Sequence, residues 1–291
     1  MANQIDTRTQ ICGLIGYPIG HSVSPFIHNQ LAGIYGQNLV YLPLQTEPDR
    51  LGDALVGADA WNFLGMNVTI PYKQAVIPYL KEIDDFAKQI GAVNTLVRVQ
   101  GGYKGYNTDA PGLYRAMQDD GIKLRGSRVI LLGAGGVARA VAYLLVQKGA
   151  DKIFILNRTM DRGEKLAAEL NAYADRNIAE AFLMKDYADL PGQDYLAIQA
   201  TNVGMYPETE QAVIEDPVFY QKIAVGYDII FNPPVTRFMR LVRKEGKEAY
   251  NGLKMLLYQG IIAYEYWNQT EVRQEDADRI YNDMLRMLEE N

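Results

Sequence analysis

Short apolar runs alternate with stretches of helical periodicity along most of the chain. Ile11–Tyr17 has the continuous apolar character of a strand buried on both faces, and a loop of Gly, Pro and Ser follows to Pro25. Phe26–Ile34 and Pro48–Ala58 predict helices, the second with Leu51, Ala54 and Leu55 on one face. Leu39–Gln45 and Phe63–Ile70 predict strands. Two more helical stretches, Gln74–Leu80 and Asp84–Ile90, lead to Asn94–Val99, a Gly101-Gly102 turn and Lys104–Tyr106, the pattern of a hairpin. Strands that alternate with helices build βαβ units and a mainly parallel sheet.

The pattern changes phase at Ala110. Ala110–Asp120 predicts a helix, and Gly121 and Gly126 mark a joint. Arg128–Ala134 is the most strand-like run and passes through glycines into a helix at Val137–Lys148, with Val141, Leu144 and Leu145 at helical spacing. Strand Lys152–Leu156, helix Arg162–Ala172, strands Tyr195–Ala200 and Val225–Phe231, and helix Arg237–Glu245 complete a βαβαβ succession of the size of a nucleotide-binding domain. Two helices close the chain. Leu253–Trp267 is apolar nearly all round and therefore buried, and Glu275–Leu288 carries Ala277, Ile280, Met284, Leu285 and Leu288 on one face.

Length and composition narrow this picture. The chain has 291 residues, more than one core usually fills, so two domains are expected. A net charge of −6 with no long run of one sign argues against nucleic acid or an anionic membrane as partner. The single cysteine, Cys12, excludes an intrachain disulfide and points to a reducing compartment. With His21 and His28 as the two histidines, no zinc or other metal site is expected. The start Met-Ala-Asn-Gln-Ile-Asp lacks the basic and apolar blocks of a signal peptide, and no apolar run is long enough to span a membrane. A cytoplasmic location is expected.

Gly133-Ala134-Gly135-Gly136-Val137-Ala138 fits G-x-G-x-x-A directly after a strand and at the opening of a helix. The first glycine permits the tight turn, the second lets backbone approach a pyrophosphate, and the small last residue allows close helix packing. The helix N-terminus adds N–H donors and the positive end of a dipole. The same pattern can serve as a plain turn; its strand–turn–helix context favours a dinucleotide. An NAD site usually places an acid about 20 residues on, where it accepts from the ribose 2′-hydroxyl. Here Asn157-Arg158-Thr159 stands there, 24 residues beyond Gly133 at Asn157. A carboxylate would repel a 2′-phosphate whereas Arg can pair with it, so NADP is favoured over NAD, with Arg162 as a possible second charge.

In the first half, Gly65-Met66-Asn67-Val68-Thr69-Ile70-Pro71-Tyr72-Lys73 ends a strand with Asn67 and Thr69 on one face and Lys73 within a turn. Asn94-Thr95 begins a strand and Asn107-Thr108-Asp109 follows the hairpin. Ligands in open α/β sheets lie beyond the carboxyl ends of strands, and polar groups gathered there suit a polyhydroxylated small molecule. Asn and Thr also cap turns, and only their position in the fold separates the two uses. A P-loop reading fails, because Gly16-x-x-x-Gly20 lacks the spacing and the lysine of G-x-x-x-x-G-K.

These segments together resemble the shikimate and quinate/shikimate dehydrogenases. Gly16-Tyr17-Pro18-Ile19-Gly20-His21-Ser22-Val23-Ser24-Pro25, with His28-Asn29, is similar to the family's opening signature, and Gly65 to Lys73 to its lysine motif. Gly91-Ala92-Val93-Asn94-Thr95, Gly105-Tyr106-Asn107-Thr108-Asp109, Gly133–Ala140, Asn157-Arg158-Thr159 and Gly252 to Gln259 follow in the family's order. The resemblance implies an α/β fold: an N-terminal α/β substrate domain with a mainly parallel sheet, plus a Rossmann-type NADP-binding domain. Residues 1–109 and the helices of 253–291 would form the first, residues 110–252 the second, with the active site in the cleft. It implies reversible NADPH-dependent reduction of 3-dehydroshikimate to shikimate in aromatic amino acid biosynthesis, by a monomer or homodimer.

By the same resemblance, Ser22 and Ser24 would hold the substrate carboxylate, and Asn67, Thr69, Asn94, Asp109 and Gln259 its hydroxyls. Lys73 and Asp109 would be the catalytic pair, and Thr201 and Gly252 would join Gly133–Ala138 and 157–159 at the cofactor. Three positions depart from the family pattern. Phe231 stands for a tyrosine, Gln199-Ala200-Thr201-Asn202 for Asn-Ala-Thr-Ser, and Lys254 for a glycine, where it would add bulk and charge close to Gln259. A quinate/shikimate enzyme using NAD or NADP, and a non-catalytic NADP- or metabolite-sensing protein on the same fold, are the alternatives; a sensor has no need of both Lys73 and Asp109.

Overall fold

The computed structural model describes residues 5–20 and 22–289, so His21 lies outside the described residues. The chain divides into two compact units, one of residues 1–112 and 257–291, the other of 113–256. The first begins β1 (Gln10–Gly16), α1 (Ser24–Ile34), β2 (Leu39–Gln45), α2 (Leu51–Ala60), β3 (Gly65–Val68) and α3 (Tyr72–Ala75). β4 (Glu82–Ile83), α4 (Asp85–Ile90), β5 (Thr95–Val99), β6 (Gly102–Tyr106) and α5 (Asp109–Asp119) follow. The expected helix Gln74–Leu80 is cut short: α3 stops at Ala75 and a 3-10 turn takes Ile77–Tyr79, where Pro78 has no N–H to continue an α-helix.

Strand order is β2-β1-β3-β5-β6-β4. β1 runs parallel to β2 and β3, β4 runs parallel to β6, and β5 is antiparallel to both neighbours. The alternation of β1 explains its unbroken apolar run. Ile15 and Ile11 join one cluster with Leu51, Leu55, Met66 and Tyr72, while Cys12 and Leu14 join another with Leu39, Tyr41 and Trp267.

The second unit holds β7 (Arg128–Leu132), α6 (Gly136–Gln147), β8 (Lys152–Asn157), α7 (Met160–Ala174), β9 (Ala179–Leu183) and β10 (Tyr195–Gln199). α8 (Pro217–Gln221), β11 (Ile223–Asp228), α9 (Arg237–Lys244) and β12 (Glu248–Tyr250) complete it. All its strands are parallel, in the order β12-β11-β10-β7-β8-β9. Counted from β7, this is the 3-2-1-4-5-6 order of doubly wound dinucleotide-binding sheets. The edges of this sheet, β9 and β12, are absent from the sequence reading, as is the two-residue β4 at an edge of the first sheet. α10 (Leu253–Asn268) and α11 (Gln274–Glu289) end the chain, and among the described residues no helix is long and apolar enough to cross a membrane.

Candidate active site

Sheet order in the first unit collects the polar segments at one edge. β5 is antiparallel to β3 with Asn67 opposite Thr95, and β6 is antiparallel to β5 with Tyr106 opposite Thr95. The end of β3, the start of β5 and the end of β6 therefore lie side by side. Thr69–Lys73, Asn94 and Asn107–Asp109, separated by tens of residues in sequence, become neighbours. Backbone bonds fix the edge: Val93 N donates to the Lys73 carbonyl at 2.7 Å and Val68 N to that of Asn94 at 2.8 Å.

Lys73 Nζ donates to Asp109 Oδ2 at 2.6 Å, with the two side chains 26% and 14% exposed. Asn94 Nδ2 fills the other carboxylate oxygen, donating to Oδ1 at 2.9 Å. The amide of Asn94 cannot be reversed, because its Oδ1 accepts from Thr108 N at 2.7 Å, a group that can only donate. Asp109 opens α5, and its own N–H donates to Asn107 Oδ1 at 3.2 Å. The result is a partly buried cation and anion with both carboxylate oxygens occupied, and ammonium protons left over for an incoming oxygen.

Thr69, half-buried, follows β3 and is fixed by its N–H to the Ile15 carbonyl at 2.9 Å. Ser24 is the first residue of α1, and Ser22 Oγ accepts from its N–H at 3.2 Å, so the two serines share one turn past the end of β1. Gln259 lies on α10 against α5, where Gly112 leaves no room for a side chain. Asn67 differs from its expected role of substrate contact. It is 4% exposed, its Oδ1 accepts from Tyr41 Oη at 2.8 Å, and its Nδ2 donates to Thr95 Oγ1 at 3.1 Å and the Asn94 carbonyl at 3.3 Å. Both amide protons are used inside the protein, so Asn67 braces the edge.

The sequence reading missed what surrounds Asn67. Tyr41 and His28 are fully buried and stacked, with ring centroids 4.2 Å apart. Neither His28 ring nitrogen has a hydrogen-bond partner, and burial lowers its pKa to about 3, so the ring is neutral at working pH. A strand position occupied by Tyr was readable as core; its hydroxyl partner two strands away was not.

In the second unit, Gly133 adopts φ +108, and an added Cβ would lie 2.9 Å from the Thr201 γ-methyl. Over Gly135 and Gly136 an added Cβ meets nothing within 4 Å. Gly135 is the N-cap of α6 and supplies no side-chain cap, so the first-turn N–H groups are left for water or a ligand. Ala134 and Val137 are half-buried, and Ala138 is fully buried in the helix–sheet packing. At the end of β8, Asn157 Nδ2 donates to Thr159 O at 2.8 Å and Oγ1 at 3.1 Å, shaping the turn that leaves Arg158 and, beyond it, Arg162 exposed. A helix start with free donors beside an exposed guanidinium fits the pyrophosphate and 2′-phosphate of NADP. Among the described residues, no cluster of His, Cys, Asp and Glu could hold a metal ion.

The departures have structural partners. Gln199 is buried; its Oε1 accepts from Thr201 N at 2.6 Å and its Nε2 donates to Asp228 Oδ1 at 3.3 Å and the Val203 carbonyl at 3.2 Å. It thus braces the turn that carries Thr201. Asp228 is fully buried, accepts from Thr236 Oγ1 at 2.6 Å and Ile230 N at 3.0 Å, and burial pushes its carboxyl up to about 7. Gly252 sits against the backbone of Ile229 and donates its N–H to Ile230 O at 2.9 Å. Lys254 places its ammonium 2.6 Å from Asp119 and 2.6 Å from Asp120, at the end of α5. Burial works against its charge, but the two carboxylates outweigh it and raise its pKa. The charge expected beside Gln259 is instead compensated by these two acids. Phe231 is half-buried beyond β11 and offers no hydroxyl.

Two family models match the chain: the shikimate dehydrogenase substrate binding domain over residues 14–96, and shikimate / quinate 5-dehydrogenase over residues 115–190. A shikimate dehydrogenase (NADP(+)) of Carboxydothermus hydrogenoformans is 40% identical over 264 residues, 91% of this chain and 93% of the relative. The shikimate 5-dehydrogenase of Listeria monocytogenes, solved in complex with shikimate and NAD, superposes with a TM-score of 0.89 at 30% identity, over 98% of this chain and 99% of that one. The Thermus thermophilus enzyme, solved with NADP(H) and shikimate, gives 0.82 at 29% identity, over 94% and 99%.

Proposed function

Because the chain belongs to the shikimate dehydrogenase family, we propose that it catalyses the NADPH-dependent, reversible reduction of 3-dehydroshikimate to shikimate in aromatic amino acid biosynthesis. The observation that carries the reading is the Lys73–Asp109 pair, 2.6 Å apart and held from the other side by Asn94. A sensor of the same metabolites would need to bind them but not to move a proton.

Ketone reduction needs a hydride on carbon and a proton on oxygen. When bound, NADPH would supply the hydride of the reduction, and its oxidised form would accept it in the reverse direction. The Lys73 ammonium donates the proton to the carbonyl oxygen and stabilises the negative charge that develops there, becoming the neutral amine; in the oxidation that neutral amine receives the proton of the hydroxyl. Asp109 orients the ammonium through Oδ2 and is itself kept in place by Asn94. Ser22 and Ser24 hold the substrate carboxylate, and Thr69, Asn94, Asp109 and Gln259 its hydroxyls. The unit of residues 1–112 and 257–291 serves as the substrate-binding domain.

In the unit of residues 113–256, the N–H groups at the start of α6, presented by Gly133–Ala138, hold the pyrophosphate, and Asn157–Thr159 the adenosine end. Arg158 reads the 2′-phosphate, which favours NADP over NAD. Thr201 and Gly252 complete the cofactor set. A single cysteine and a net charge of −6 are consistent with work in the cytoplasm, as a monomer or homodimer, without nucleic acid or membrane.

The test is an absorbance assay of shikimate and quinate, each with NADP and with NAD. Shikimate with NADP is expected to turn over fastest. No turnover with any pair overturns the enzyme reading, and faster quinate turnover with NAD replaces it with the catabolic one.

A further inference from the structure

Asp109 is reached by a longer chain of donors than the catalytic pair alone. Tyr41 Oη donates to Asn67 Oδ1 at 2.8 Å, and Asn67 Nδ2 donates to Thr95 Oγ1 at 3.1 Å. Thr95 Oγ1 donates to Asn94 Oδ1 at 3.0 Å, and Asn94 Nδ2 to Asp109 Oδ1 at 2.9 Å. Thr108 Oγ1 lies 3.1 Å from Thr95 Oγ1 and 3.2 Å from Asn94 Oδ1. The direction of the chain is set by groups that have no choice. The Asn94 carbonyl can only accept, so it fixes which end of Asn67 carries the nitrogen, and Oδ1 of Asn67 is left for the Tyr41 hydroxyl. A hydroxyl that accepts from Asn67 must then send its single proton onward. Tyr41 and Thr95 are 1% and 0% exposed, and neither reaches the Lys73–Asp109 pair.

We infer that Tyr41 and Thr95 are positioning residues: a chain of hydrogen bonds from the Tyr41 hydroxyl through Asn67 and Thr95 reaches Asn94 Oδ1 and tightens the amide orientation that Thr108 N–H sets, with the Asn94 NH2 on Asp109. The chain keeps the carboxylate that orients Lys73 from rotating. The His28 ring stacks on Tyr41 with an interplanar angle of 14° and packs against its face. This rests on Lys73 and Asp109 being the catalytic pair. Such buried chains strengthen along their length, so losing a link distant from the pair is felt at it.

The experiment compares the full-length protein with Thr95→Val, Thr95→Ser and Tyr41→Phe in shikimate oxidation by NADP. Thr95→Val and Tyr41→Phe are expected to lower kcat by about 10-fold, the scale at which misplacement of a reacting group is felt, and to displace the pH profile of kcat. KM for NADP should stay the same, and Thr95→Ser, which keeps the hydroxyl, should restore the wild-type profile. Unchanged kcat and pH profile in Tyr41→Phe and Thr95→Val, with a lower melting temperature alone, would reduce these residues to packing and overturn the inference. If Thr95→Val does not fold, Tyr41→Phe decides by the same readouts. A wild-type protein that does not turn over shikimate would instead overturn the reading beneath it.

Discussion

Gln259 and Gly112 meet backbone to side: a Cβ built on Gly112 would lie 2.6 Å from the Gln259 amide nitrogen and 2.8 Å from its Cα. Gly112 is one helical turn from Asp109 on α5, so this contact sets where α10 delivers Gln259 relative to the Asp109 carboxylate. Both atoms belong to helix backbone and cannot turn aside as a side-chain tip would.

Gly112→Ala is therefore expected to push α10 and α5 apart. Overpacking of this kind costs about 1–3 kcal/mol, and displacement of Gln259, if it holds substrate as proposed, should lower kcat/KM for shikimate by at least ~10-fold. Circular dichroism melts and steady-state kinetics read the two effects. A variant with unaltered kcat/KM would show that Gln259 has no role in holding substrate.

Lys73→Ala removes the proposed proton donor and takes the ammonium away from Asp109 Oδ2. Loss of a general acid typically costs ~10²–10⁴ in rate, so kcat should fall in that range while NADP(H) binding, measured by fluorescence titration, stays unchanged. Turnover near that of the wild type would remove Lys73 from the mechanism.

Arg158 is exposed at the end of β8, next to a turn organised by Asn157. Losing a charge-assisted pair with the 2′-phosphate should weaken NADPH by about 1.5–3 kcal/mol, roughly 10- to 150-fold. Arg158→Ala should spare NADH, which has no phosphate there. Equal losses for both cofactors, by titration, would assign Arg158 some other role.

The residues that the sequence made visible and those it hid differ in how local their signals are. β7, β8, β10 and β11 are continuous apolar runs, and the glycines between β7 and α6 mark their turn directly. β9 and β12 are the edges of their sheet; Glu180 breaks β9 after its first residue, and β12 is three residues long and begins at Glu248, so neither gives the long apolar run that marks the central strands. At the site, Lys73, Asn94 and Asp109 stood out because family-like segments carry them. Thr95 and Thr108 lie in those same segments, but the part their hydroxyls play, like that of Tyr41, shows only through contacts that the fold makes. That adjacency comes from the order β2-β1-β3-β5-β6: Asn67 faces Thr95 on the neighbouring strand, and the Tyr41 hydroxyl reaches Asn67 across β1. Lys254 misled for the same reason: its neighbours along the chain suggested Gln259, while α5 supplies Asp119 and Asp120.

Asp228 supplies a pH dependence with a definite sign. Its buried carboxyl titrates at about 7, against 3.8 for the ordinary group. Between those values the folded protein binds more protons than the unfolded one. Its contribution is thus fully present below about pH 4 and is lost as pH rises through 7, at up to ~1.4 kcal/mol per pH unit. His28 acts oppositely: with its pKa lowered from 6.5 to about 3, its contribution is present above 6.5 and lost as pH falls. From pH 4 to 6.5 the two offset each other, and above 6.5 Asp228 remains alone. Asp228→Asn keeps the side-chain shape and removes the titration. Urea unfolding of both proteins at pH 5.0, 6.5 and 8.0 is expected (with ΔΔG defined as variant minus wild type) to show ΔΔG rising with pH by about 1–3 kcal/mol across that range. The absolute level of ΔΔG also contains the new bond between the introduced amide and Thr236, so the slope carries the test; parallel curves would mean that Asp228 stays ionised in the folded protein down to its ordinary pKa.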